Sequence, residues 1–95
     1  MAELNSLDEV REQIDRLDRE IVRLIAERDG YVHQVVRFKS TAADVEAPDR
    51  VAAVIDKVRG LATQHETDPD IVEGVYRAMI AGFILQEKRQ LGLQE

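Results

Sequence analysis

Apolar side chains recur along the start of the chain at alternating steps of three and four residues. Leu7, Val10, Ile14, Leu17, Ile21, Leu24, Arg28, Tyr31, Val35 and Phe38 follow this heptad rhythm, and Arg28 is the only charged member. Such spacing lays the ten positions along one stripe of an α-helix. The pattern predicts a first helix that starts near Ser6 and runs unbroken through Phe38. Ser6 and Glu9 form a capping-box pair at its start. Gly30 weakens the helix locally, by about 1 kcal/mol, but the stripe continues past it. About 33 residues at 1.5 Å each make a rod of about 50 Å, too long to bury its stripe against two shorter helices of the same chain.

The segment Ser40 to Ala47 loses the heptad and reads as a loop. Pro48 suits the first turn of a second helix, which carries Val51, Val54, Ile55, Val58 and Leu61 on one face and ends around His65. Thr67, Asp68 and Pro69 then supply a cap and an initiating proline for a third helix, which runs to about Leu91 before Gly92. Its apolar face is Val72, Val75, Tyr76, Met79, Ile80 and Phe83, and continuing that face leads to Gln86 and Glu87. The expected fold is all-α, a single domain over residues 1–95 made of three helices. A core this small is marginal in a monomer, so a partner chain is expected.

Composition narrows the function. The net charge of −6 argues against a nucleic-acid surface, which needs a clustered basic excess. There is no cysteine, so disulfides, thiol nucleophiles and zinc knuckles are ruled out. His33 and His65 lack the spacing of metal ligands, and no glycine-rich phosphate loop is present. The N-terminus has neither the basic start nor the apolar stretch of a signal peptide, and no run of about eighteen apolar residues occurs. A cytoplasmic protein without membrane contact is expected.

Arg28 on the apolar stripe is then the informative residue. Burying a guanidinium is costly unless an anion meets it. That anion is either a carboxylate across a helical interface, in which case Arg28 sets register, or an anionic ligand. On a regular helix Lys39 lies about 16 Å further along and within about 20° of the same face, whereas Arg11 lies about 25 Å before Arg28, too far to share a small ligand within one chain. In an antiparallel pair of chains, Arg11 of one copy comes alongside Arg28 and Lys39 of the other, giving two equivalent cationic sites. Each residue also has a plain alternative: Arg11 pairs with Asp15 at i,i+4, and Lys39 complements a helix C-terminus. Arg50 sits in the first turn of the second helix, where a cation is mildly unfavourable. Glu87 is either a partner for an arginine or a protonated donor.

The stretches LDEVREQIDRLDREIVRLIAERDGYVHQVVRFK, PDRV, DPDIVEGVYRAMI and LQEK resemble the all-helical chorismate mutase family, which also contains isochorismate pyruvate lyase. The resemblance covers nearly the whole chain. It implies an intertwined homodimer with two shared active sites and no cofactor or metal. In it Arg11 of the partner and Arg28 hold the carboxylates of a dianionic substrate, chorismate or isochorismate, and Lys39 contacts the ether oxygen of the breaking bond. Arg50 is a further cation, and Val35, Val51, Ile80, Phe83, Gln86 and Glu87 complete the pocket. The implied reaction is the rearrangement of chorismate to prephenate. Where mutases commonly carry a glutamate after the second-helix arginine this chain has Val51, and its connector is short and ends in Ala47 and Pro48; both features look more like the lyase. Glu87 stands best where the family usually has a glutamine, with Gln86 adjacent, and as glutamate it can donate only when protonated. A rival of another class is a non-catalytic helical dimerisation module.

Overall fold

In a computed structural model, which describes residues 1–93, all regular secondary structure among the described residues is helical. The last two positions of the expected 1–95 domain lie outside the described residues. The elements are α1 (Leu7–Val35), a 3-10 turn (Val36–Phe38), α2 (Ala42–Glu46), α3 (Pro48–Gln64) and α4 (Pro69–Gln90). The three long helices fall where the hydrophobic pattern puts them. By their contacts the residues form two units, 1–32 and 33 onward.

The first unit is the N-terminal cap and most of α1. Ser6 Oγ accepts from the Glu9 amide at 3.1 Å, and the Glu9 carboxylate accepts from the Asn5 amide at 3.0 Å. Arg23 pairs with Glu20 one turn before it and Glu27 one turn after, holding the Glu20 carboxyl below its ordinary range through the hydrogen bond and the nearby charge. No residue of α1 is buried. From Leu7 to Tyr31 the apolar members of the stripe are between 39% and 64% exposed.

The second unit encloses the core. Val54, Ile55, Val58 and Ala62 of α3 are buried, together with Val36 and Val45. Leu61 and Val75, expected on the inner faces of their helices, lie exposed at the margin, because a two-helix contact covers a narrower stripe than the full set of apolar positions. Arg59 of α3 binds Asp70 at 2.9 Å and Glu73 at 2.8 Å, and Arg77 also binds Glu73. Hydrogen bonds from Arg77 first, then Arg59, hold the Glu73 carboxyl below its usual range. Asp68 caps α4 by accepting from the Asp70 amide, with Pro69 in the first turn. At its far end Gly92 adopts φ +72°, the Gly92 amide donates to Arg89, and the Leu93 amide donates to Lys88; this is the left-handed stop that glycine provides.

Two expectations are corrected. The first helix does not stay α-helical through Phe38, and residues 40–47 are not a featureless loop. After Val35 the backbone tightens into the 3-10 turn and becomes extended at Lys39, with φ −117° and ψ 140°. Asp44 draws the chain out of the helix: its carboxylate accepts from the amides of Ser40 and Thr41, while Thr41 Oγ1 accepts from the Asp44 amide. This capping box opens α2, and those amides, Ser40 first, hold the Asp44 carboxyl below its ordinary range. Ala47 then turns the chain into α3 in a left-handed conformation, φ 38°, which costs a residue with a Cβ about 1–2 kcal/mol. The buried Val45 beside it, 1% exposed, offsets that strain.

Candidate active site

Lys39 is placed by the turn before it. Val36 is buried, the Lys39 amide donates to the Val36 carbonyl at 3.0 Å, and the extended backbone sends the side chain toward α4. There Nζ donates to Glu87 Oε1 at 3.2 Å and Oε2 at 3.4 Å. The Lys39 and Glu87 side chains are only 17% and 6% exposed, and Glu87 is the only buried charged residue among those described. Withdrawing both charges from water costs several kcal/mol per ion, and their attraction recovers little beyond that. A pair of this kind contributes little to stability, so stability alone does not account for it. An ammonium has three donors. Two face Glu87, leaving one direction for a further acceptor.

Ile80, Phe83 and Glu87 are spaced three and four residues apart on α4 and share a face; the first two are half-buried. Gln86, about 100° around the helix from Glu87, is exposed. Periodicity left those two neighbours undecided. In the fold, Glu87 turns inward, as an acceptor of Lys39. The partner of Glu87 is therefore a lysine, where an arginine was expected. Val51 is half-buried, and Arg50 and Val35 are exposed. Arg11 and Arg28 belong to the first unit, Arg11 exposed and Arg28 half-buried. The alternative pairing of Arg11 with Asp15 is not formed among the described residues. The helical projection that related Arg28 to Lys39 ends at Val35, where the α-helix does.

Sequence reasoning missed two contacts. Lys88 Nζ donates to Glu46 Oε1 at 2.7 Å, and His33 Nδ1 lies 3.1 Å from Gln90 Oε1. Neither has a periodic signature, since the partners are 42 and 57 residues apart. The spacing Thr41-x-x-Asp44 was the available signal for α2. An open cavity of about 200 Å³ lies elsewhere, lined by Val58, Leu61, Ala62, His65, Thr67, Val72 and Tyr76. Its lining carries no lysine or arginine.

With this geometry in place, comparison with known proteins assigns the class. Residues 10–88 match the family described as chorismate mutase type II, and the chain belongs to that family. It is 36% identical over 81 residues to an isochorismate pyruvate lyase of Pseudomonas aeruginosa, covering 85% of this chain and 80% of that protein. It is 30% identical over 78 residues to a chorismate mutase of Methanocaldococcus jannaschii, covering 81% and 79%. A bifunctional chorismate mutase/prephenate dehydratase of Aquifex aeolicus is 28% identical over 90 residues, which span 90% of this chain and 25% of that longer protein. No helix among the described residues is long and apolar enough to cross a membrane.

Proposed function

We propose that this chain is a chorismate mutase that rearranges chorismate to prephenate as a homodimer, residues 1–95 acting as one domain in each copy. The observation that carries the reading is the part-buried Lys39–Glu87 pair in a chain of this family. The reaction is unimolecular, so the protein must hold a compact conformer and stabilise charge on the ether oxygen as its bond to carbon breaks. Lys39 Nζ donates to that oxygen with the N–H not facing Glu87. Arg28, and Arg11 of a second copy, hold the two carboxylates, with Arg50 as a further cation. Val35, Val51, Ile80 and Phe83 shape the pocket around the ring. The uncovered stripe of α1 supports the second copy, because an apolar face of this length is far larger than the scattered apolar residues of a monomer's surface.

Glu87 is the second donor to the ether oxygen, and Gln86, exposed on its side of α4, is not. In the pair with Lys39 the Glu87 carboxylate accepts, whereas an amide at this position carries a donor of its own. Glu87→Gln, whose amide is a permanent donor, should keep or raise kcat/KM near neutral pH; abolished turnover would remove Glu87 from this role.

A second reading, isochorismate pyruvate lyase, is favoured by Val51 after Arg50, by the short connector ending at Ala47 and Pro48, and by the similarity to the Pseudomonas protein of that name. It uses the same cations for a pericyclic elimination. Incubating the protein separately with chorismate and with isochorismate, and identifying the products, separates the two. Prephenate from chorismate supports the mutase, salicylate with pyruvate from isochorismate supports the lyase, and turnover of neither leaves a non-catalytic dimerisation module.

A further inference from the structure

The last turns of α4 make three polar contacts with the segment that carries Lys39. Glu87 accepts from Lys39 itself, Lys88 reaches Glu46 at the end of α2, and Gln90 meets His33 upstream of the 3-10 turn. The backbone of Lys39 is extended and lies outside any helix, so helical hydrogen bonding does not set its position. The flanking segments do. On either side Val36 and Val45 are buried, but apolar burial is non-directional and fixes depth better than register. Downstream of Lys39 the directional tie between α2 and α4 is Lys88–Glu46, a 2.7 Å bond whose lysine side chain is 12% exposed.

We propose that Glu46 and Lys88 form a latch that positions Lys39 for the reacting ligand. The proposal rests on the reading of Lys39 as the donor to the breaking bond. Adjacent residues of α4 then divide the work, Glu87 holding the ammonium at rest and Lys88 holding the backbone segment that delivers it. When the remaining N–H of Lys39 donates to a ligand oxygen, the position of the ammonium must be held on the ligand side as well as by Glu87. At that moment Lys88–Glu46 limits how far the connector can drift. The capping box of Thr41 and Asp44 makes the short α2 stiff enough to transmit that restraint. Misplacing a catalytic group by about 1 Å can cost up to about a hundredfold in rate, so an ion pair that touches no ligand can still govern turnover. Glu46 and Lys88 are positioning residues and touch no ligand.

The test uses Lys88→Met, which keeps the apolar stem and removes the donor, with Lys88→Arg as the conservative variant. In Lys88→Met, kcat should fall about tenfold with KM within about twofold of wild type, because the restraint matters most in the transition state. Lys88→Arg should keep most of kcat. Glu46→Gln should weaken turnover in the same way, and combining it with Lys88→Met should add little, as expected for two halves of one contact. Hydrogen exchange supplies a readout independent of activity: the amides of Ser40, Thr41, Val45 and Ala47 should exchange at least about tenfold faster in Lys88→Met, with those of α3 unchanged. Wild-type kcat and exchange in Lys88→Met would overturn the latch, as would faster exchange spread evenly over α3 and α4. If the wild-type protein turns over neither acid, the functional reading falls, and the exchange of residues 40–47 alone decides for or against the latch.

Discussion

Residues 1–32 and residues 33–93 are built from similar amphipathic material and end in different states. In the second region the faces of α3 and α4 meet, Val54, Ile55 and Val58 are buried, and the connector is pinned by Val36 and Val45. In the first, six apolar heptad positions from Leu7 to Leu24 stand at least 39% exposed. The contrast shows that amphipathicity makes a helix but does not supply its cover. It also divides the candidate chemistry. Lys39 and Glu87 are assembled within the packed region, whereas Arg11 and Arg28 ride on the uncovered helix. On our proposal a second copy both buries the stripe and completes the site.

The sharpest way to break this comparison is to charge the stripe. In an isolated chain Ile21→Asp replaces a side chain that is 52% exposed and should change stability by no more than about 0.5 kcal/mol. In a twofold dimer it removes about 2 kcal/mol or more from each copy, weakening association by about a thousandfold. Sedimentation equilibrium should therefore show monomers, with activity lost; a dimer of unchanged affinity would mean that α1 is not the interface. Next in size, Lys39→Ala should lower kcat at least about a hundredfold by removing a transition-state donor, with helix content by circular dichroism retained. An unchanged kcat would take Lys39 out of the site.

A smaller effect sharpens the other side of the contrast. Val45→Ala removes a side chain that is 1% exposed and should cost about 2 kcal/mol, lowering the thermal midpoint by roughly 10 °C. A shift of only a degree or two would mean that α2 contributes little to the packed region.

How much of this was legible in sequence follows the same division. Local signals were readable because they act over one turn: Ser6 with Glu9, Asp68 with Pro69, and Gly92 each mark a helix end where the structure has one. Thr41 and Asp44 carry the same kind of signal inside a stretch with no heptad, and the absence of periodicity hid a helix of five residues. Periodicity could not reveal the direct Lys39–Glu87 pair, because its members are 48 residues apart; the family resemblance alone set both in one pocket. Gln86 and Glu87 flank the apolar face of α4 on opposite sides, so the pattern of α4 alone could not choose; packing against the connector turns Glu87 inward.

The central claim is that the two regions meet in function across a pair of chains, with Arg11 from one copy serving Arg28 and Lys39 of the other. Mixing Arg11→Ala protein with Arg28→Ala protein, each inactive alone, tests it most directly. After subunit exchange, half of the dimers carry one intact site and one lacking both arginines, so activity should recover to about one quarter of wild type. Verified exchange without recovery would contradict the shared site.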